Sequence, residues 1–438
     1  MEGLMAESVW LNGQKKHEFQ TLEGSKKTDV LIIGGGLCGV LCAYFLKNEG
    51  MDCLLVEADT IGSGITKNTT AKITSQHGLI YDKLIRSKGR EKALLYLQAN
   101  ERALAKYREL SKEIDCDFEE KDAFVYSLLD RDKIEREVTA VNSLGFPAEF
   151  CEELPLPFET EGAIKFPKQA QFHPLKFLEA ISKDLNIYEH TFIRDLSPDT
   201  AWSDHGQVTA KKIIVATHFP FLNKHGSYFM KLYQHRSYVI ALENTPHVHG
   251  MYIDESKTGM SFRDYKNLLF VGGGSHRTGK TGGGWQELRE FAAACYPSAT
   301  EKYVWATQDC MSLDGIPYIG QYSKNTPNLY VASGFNKWGM TSSMVAAMML
   351  CDLVMEKGHE WQELFLPYRS IWKPQLFLNG AEAAINLLTP SVRRCPHMGC
   401  ALKWNKQEHT WDCPCHGSRF EKDGSLIDNP ATGDADIE

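Results

Sequence analysis

The spacing of apolar and polar positions changes along the chain, and each change predicts an element. Asp29-Val-Leu-Ile-Ile33 is a short apolar run of strand type, helix-forming residues continue to Leu46-Lys47-Asn48-Glu49-Gly50, and a second short run, Cys53-Leu-Leu-Val56, ends at Glu57. Residues 81 to 114 place Leu84, Ile85, Leu94, Leu95, Leu97, Leu104 and Leu110 among charged residues, which predicts helix. From Phe118 to Phe172, aromatic and β-branched residues mix with Pro147, Pro155, Pro157 and Pro167, which predicts strands and turns. Phe172-His173-Pro174-Leu175 opens another helix. Val208–Thr217, Leu268–Val271 and the residues after Asn328 read as later strands. The longest apolar stretch, Met344 to Met355, is interrupted by Asp352 and too short to span a bilayer.

Between the first two runs lies Gly34-Gly-Gly36-Leu-Cys-Gly39. Glycines there let the backbone approach a pyrophosphate at a helix N-terminus, and a carboxylate such as Glu57 grips ribose hydroxyls. Both strands, the helix and Glu57 stand at the spacing of a dinucleotide site, which a merely structural glycine turn would not require. NAD and FAD both satisfy that spacing. The loop Ile61-Gly-Ser63-Gly64-Ile-Thr66-Lys-Asn-Thr-Thr70-Ala-Lys72 favours FAD. It resembles the corresponding loop of the D-amino-acid oxidase and glycine oxidase superfamily, in which backbone and hydroxyl groups contact the flavin cofactor.

Two further stretches extend the resemblance. Val208 to Thr217 is similar to the superfamily's returning strand, although His218 stands where glycine is usual. Asp314-Gly315-Ile-Pro317-Tyr-Ile-Gly320 and Asn328 to Met340, with Gly334 and Gly339, resemble its closing segment, a strand entering a helix whose N-terminus points at the flavin ring. The resemblance covers about residues 29 to 357 and implies an FAD-dependent oxidoreductase. No second dinucleotide fingerprint is present, so use of NAD(P)H is not expected.

Gly274-Ser-His-Arg-Thr-Gly279-Lys280-Thr281 matches a P-loop pattern and follows a strand. A working P-loop runs directly into a helix, and Gly282-Gly-Gly284 opposes helix initiation, so a flexible loop near the substrate cavity is expected instead.

Near the C-terminus, Cys395-Pro-His397-Met-Gly-Cys400 is followed after twelve residues by Cys413-Pro-Cys415-His416-Gly-Ser418. Thiolate and imidazole together suit a [2Fe–2S] cluster with one His₂ iron, and they also suit tetrahedral zinc. Zinc needs only four ligands and leaves the extra Cys pair and Ser418 unexplained. The two halves resemble the paired ligand loops of Rieske proteins. On that resemblance Cys395 and Cys413 hold one iron, His397 and His416 hold the other, and Cys400 and Cys415 form the disulfide that ties the loops together. Phe420 replaces the tyrosine of the highest-potential members, so a lower potential is implied. Few residues precede the first loop, which predicts an abbreviated cluster domain leaning on its neighbour for shielding.

Substrate choice is read from polar groups near the flavin. Asp309 stands where glycine oxidase-like members place an arginine for the substrate carboxylate, whereas Lys337 keeps a positive charge near a second such position and Arg263 could supply another. These three are the candidate substrate contacts. A carboxylate at 309 disfavours simple glycine-type recognition and favours an amine or amino-acid-like substrate. Cys310 is a candidate flavin attachment point or a plain buried thiol.

Composition is that of an ordinary globular protein: 43% hydrophobic, 24% charged, with a net charge of −8 that argues against nucleic acid as a partner. Lys15-Lys16 and Lys26-Lys27 are isolated basic pairs. Eight cysteines outside the C-terminal loops lack regular spacing, as suits free thiols, and the first residues resemble no export signal, so a cytoplasmic location is expected.

The expected fold class is α/β (α+β): an FAD-binding Rossmann-like domain with an inserted mixed-sheet substrate domain, plus a small all-β Rieske-type domain. Boundaries are expected at 1–370, with cofactor-binding segments at about 29–80, 205–220 and 310–357 and substrate segments at about 115–200 and 225–305, and at 371–438 for the cluster domain. The expected activity is oxidation of an amine-like substrate by hydride transfer to FAD, followed by one-electron transfer through the cluster to an external acceptor, a protein or a quinone-like molecule. Electron flow in the reverse direction and a redox sensor without an organic substrate are the alternatives. No nucleic acid and no integral membrane segment are expected.

Overall fold

The computed structural model describes residues 7–13, 17–223 and 225–437. Lys15 and Lys16 lie outside them. The first sheet is built around parallel strands. Gly24–Ile33 lies between Cys53–Val56 and Gly206–Val215, with Ile33 opposite both Val56 and Val215, and Leu329–Ser333 continues in parallel beyond them. Helices Leu37–Asn48 and Gly339–Val354 pack against each other, and their apolar side chains share one core with this sheet. Nearly every side chain of Leu329–Ser333 and Cys53–Val56 is buried, which is why those runs are continuously apolar rather than alternating.

The second sheet has nine strands in a mixed arrangement. Thr300–Ser312 pairs antiparallel with Leu232–Glu243, which pairs with Leu268–Arg277, and Met251–Asp254 runs parallel to Glu119–Ser127 farther across. A third sheet is a small antiparallel meander: Lys403–Asn405, Thr410–Asp412, Arg419–Phe420 and Leu426–Asp428. The architecture is therefore α/β with a small all-β C-terminal unit. Helix Pro374–Leu388 leads into that unit.

Several sequence expectations need correction. The region 81–114 forms two helices, Tyr81–Lys88 and Arg90–Leu110, divided at Gly89, whose φ of 87° ends the first. Within 118–172 the expected strands and turns are interrupted by helix Arg131–Ser143. Asp130 caps it by accepting from Lys133 N, and Ile134 and Val141 on its inner face are buried. The substrate segment does not extend to residue 200: Ile187–Tyr188 already joins the first sheet beside Cys53–Val56, and Ile193–Leu196 and Thr200–Ser203 follow. Two to four residues per strand are too few to show a period. The expected loop at 274–284 is shorter than that, because Leu268–Arg277 continues as strand, only residues 278–283 form turn and coil, and helix Gly284–Cys295 starts at the last glycine. Its Leu288 is buried beneath the second sheet, so tertiary burial overrides the glycines' low propensity. The P-loop pattern remains a coincidence, since its first four residues lie in a strand.

Candidate active site and cluster loops

A cavity of about 1480 Å³ runs between the first and second sheets and is closed on one side by the C-terminal unit. The turn Gly34–Gly36 lies at one part of it. A Cβ on Gly34 would stand 2.7 Å from the Ala216 carbonyl oxygen, and one on Gly39 would stand 1.9 Å from that of Gly34, so strand and helix approach as closely as they do only because both are glycine. Glu57 faces the cavity, with its carboxylate accepting from Gly35 N at 2.5 Å and Asp59 N at 3.0 Å. Burial raises its pKa, and those N–H donors partly counter the rise. The helices starting at Leu37 and Gly339 both lack a side-chain cap of their own, leaving N–H groups at the cavity's edge, one of which donates to Thr66 Oγ1.

Of the residues expected to contact FAD, Gly34, Gly36, Glu57, Ser63, Gly64, Thr66, Thr70, Thr217, Gly339 and Met340 line this cavity. Gly39 and Gly334 do not. Gly39 serves helix packing, and Gly334 has a φ of 72°. The turn, the acidic strand end and the uncapped helix starts fit a dinucleotide's phosphates and ribose. His218 occupies the position where glycine was expected, and its φ of 64° shows that the left-handed conformation is retained. Its ring is hydrogen-bonded to Gln234 Oε1 at 3.1 Å, which helps hold it there.

Among the candidate substrate contacts, Asp309 and Lys337 line the cavity and Arg263 does not. Arg263 is fully buried, donates to the carbonyls of Thr70 and Ala71, and packs over Trp10 and Phe270. It is a scaffold residue beneath the flavin loop, a role that a charged side chain in a strand does not advertise in sequence. Lys337 Nζ donates to Ser237 Oγ at 3.1 Å and Ser275 Oγ at 3.3 Å. Burial pushes the Asp309 carboxyl up to about 6, although Lys337 and Arg236 draw it down. Cys310 lies 3.5 Å from Ser333 Oγ, and burial pushes its thiol to about 12, so it stays protonated near neutrality.

The two Cys/His loops come together at the C-terminal unit. Cys400 and Cys415 form a disulfide, and the other eight cysteines outside the loops are free. Cys395 and Cys413 are buried side by side. The Cys413 thiol interacts with that of Cys395 and lowers its pKa, and the His397 N–H and Ser418 hydroxyl lower it further. The rings of His397 and His416 lie 4.8 Å apart, and Nδ1 of each is buried without a partner. His397 Nε2 is 2.9 Å from Asn223 Oδ1, which can only accept, so Nε2 carries the proton and Nδ1 keeps its lone pair. Burial lowers the pKa of His397 to about 4 and that of His416 to about 3, leaving neutral imidazoles. Two neighbouring thiols and two orphaned imidazole nitrogens are the donor types that a cluster with one His₂ iron takes.

These loops rest on the flavin-binding part of the chain, as their brevity implied. Phe219 and Phe229 pack against the His416 ring. Gln234 Nε2 donates to the carbonyls of His416 and Asn429, Gln308 donates to Gly417, and Arg277 donates to Pro414 and Cys415. Asn429 in turn donates to Thr217 and Phe219. A buried ionic group completes the contact: Glu408 pairs with Arg236 and, at 2.7 Å, with Arg419, while Tyr238 donates to Glu408 at 3.0 Å. Sequence reading missed Gln234, Asn429, Glu408 and His77. His77 lines the cavity, stacks on Trp338 at 4.8 Å and bonds to Tyr96.

The sequence matches the FAD dependent oxidoreductase family (DAO) over residues 29–353 and the Rieske [2Fe-2S] domain over 389–437. A Bacillus subtilis (strain 168) protein that carries the name Rieske 2Fe-2S iron-sulfur protein YhfW is 33% identical over an alignment covering 97% of this chain and 96% of the relative. The cytochrome b6-f complex iron-sulfur subunit 3 of Nostoc sp. (strain PCC 7120) is 48% identical over 40 residues, which are 9% of this chain and 22% of the subunit. Among solved structures, glycine oxidase from Geobacillus kaustophilus superposes with a TM-score of 0.67 at 21% identity, covering 79% of this chain and 100% of that one. L-proline dehydrogenase from P. horikoshii also reaches 0.67, at 16% identity, covering 79% and 98%. The chain belongs to the FAD dependent oxidoreductase family and is an oxidoreductase of FAD and a [2Fe–2S] cluster, the latter in a C-terminal Rieske domain.

Proposed function

We propose that this protein oxidises an amine or amino-acid-like substrate at FAD and delivers the electrons through its Rieske cluster to an external protein or quinone-like acceptor. Cys395 and Cys413 bind one iron in this reading, and His397 and His416 bind the other. FAD supplies a two-electron hydride acceptor and the cluster a one-electron carrier. Glu57 and the glycine turn bind the dinucleotide portion. Asp309 attracts a cationic ammonium, and Lys337, steadied by Ser237 and Ser275, is available to a second, anionic substrate group.

The observation that supports the coupling is the strand end at Thr217 and His218. It lines the cavity and is hydrogen-bonded to Asn429 and Gln234, and Gln234 also holds the His416 backbone. Few covalent and hydrogen bonds therefore separate the cavity wall from a candidate iron ligand. Anaerobic stopped-flow mixing of the holoprotein with a panel of amines and amino acids tests the reading. Flavin bleaching followed by cluster reduction is expected. Bleaching that only a reduced carrier protein produces would reverse the direction, and no response to any substrate would overturn the enzymatic role.

A further inference from the structure

Exposed apolar side chains are concentrated in one place. Among the described residues, eight of the twelve large exposed hydrophobics fall between Trp372 and Met398, a stretch centred on helix Pro374–Leu388. The helix is inside-out. Its inner face buries Leu376 together with polar groups: Asn379 accepts from Arg277, Asn386 is buried, and Glu382, the helix's only charged residue, pairs with Lys280 at 2.7 Å. Its outer face presents Phe377 (64% exposed), Leu378, Ile385 and Leu388 (82% exposed). Surface helices ordinarily turn the opposite face outward, and a contiguous apolar patch of this kind marks an interaction site.

Charge decides what covers it. Lys373 occupies the cap position at the start of the helix, Arg394 donates to the Leu387 and Thr389 carbonyls at its end, and Glu382 is the only carboxylate in the stretch, so the patch has a basic rim on a chain of net charge −8. A second copy of the chain docking on this face would set the same basic rim against itself. An anionic lipid surface would be complementary to it. Trp372, 74% exposed at the start of the helix, is of the residue type that favours the headgroup level. Fifteen residues make a helix of roughly 22 Å, short of the roughly 30 Å hydrocarbon core, so the element can lie in a membrane surface but not cross it. We infer that helix Pro374–Leu388 docks the protein on an anionic bilayer surface, its outer face entering the headgroup–acyl boundary. The inference stands whichever way electrons flow. Its consequence for the cluster is positional, since Met398, 40% exposed, ends the same apolar stretch one residue after His397.

Sedimentation of the holoprotein with sucrose-loaded vesicles tests this. Binding to phosphatidylcholine vesicles that contain phosphatidylglycerol is expected, weakening with added salt, with little binding to phosphatidylcholine alone. The double substitution Phe377→Ser and Leu388→Ser should weaken binding by roughly tenfold or more while leaving the flavin and cluster spectra unchanged. Lys373→Glu, at the residue that precedes the helix, should weaken binding to the anionic vesicles alone and serves if the double variant fails to fold. Failure of the wild-type holoprotein to bind anionic vesicles would overturn the inference. So would binding unchanged in the variants, or a dimer by light scattering that the double variant converts to monomer, which would assign the face to a second copy.

Discussion

The side-chain amide of Gln234 donates to the main-chain carbonyl of His416 over 3.0 Å, so a strand of the second sheet fixes the backbone of a cluster loop. The same amide reaches Asn429, and its oxygen faces His218, so one buried side chain serves three partners. Gln234→Leu leaves two buried carbonyls without donors, at a cost of about 1–3 kcal/mol for each group left unsatisfied. Iron content and the Rieske EPR signal should fall, or the signal broaden, while FAD content is retained. An unchanged EPR line shape with full iron would show that the contact does not steady the cluster.

Asp309 titrates in the experimental range. Its carboxyl, pushed to about 6 by burial against the pull of Lys337 and Arg236, is neutral below that pH and anionic above it. For a cationic amine, kcat/KM should therefore rise with pH through about 6. Asp309→Asn should abolish this limb and raise KM for cationic substrates more than it lowers kcat. A wild-type profile that is flat across that range would remove Asp309 from substrate recognition.

Asp314 and Arg369 form a buried pair, 2.7 Å apart, that clamps the segment after Thr300–Ser312 to the segment preceding helix Pro374–Leu388. Burial alone would raise the Asp314 pKa, but Arg369 and Lys88 overcome it and hold it at about 2, against 3.8 ordinarily. A depressed folded-state pKa contributes stability above the unfolded value and loses it as pH falls through the folded one. The contribution is about 2 kcal/mol at neutral pH and should disappear between roughly pH 4 and 2. Urea unfolding across that window should show the loss. Asp314→Asn should unfold more easily at neutral pH and show a weaker dependence there, because Arg369 is left buried without its partner.

The parts of this protein that were legible in sequence are those whose signal is local. Residues 29–57 state their own fold because strand, glycine turn, helix and acidic strand end are consecutive, and the two Cys/His loops state their chemistry through ligand type and spacing. Helix Arg131–Ser143 was also locally encoded, by Asp130 and the spacing of Ile134, Val138 and Val141, but the surrounding prolines and aromatics masked it. Arg263 could not be placed, because an arginine in a strand reads the same whether it meets a substrate or two buried carbonyls. Gln234, Asn429 and Glu408 gave no signal. Each acts across about 170 to 210 residues of sequence, on partners that only the tertiary fold brings near.

The cavity wall has a consequence for how the protein is made. Leu426, Asn429 and Thr432 line the same cavity as Gly34 and Glu57, so its wall contains both early and late parts of the chain. During synthesis the glycine turn emerges from the ribosome hundreds of residues before its opposite wall. The cavity therefore takes its final form only once the C-terminal unit has docked against the earlier part of the chain.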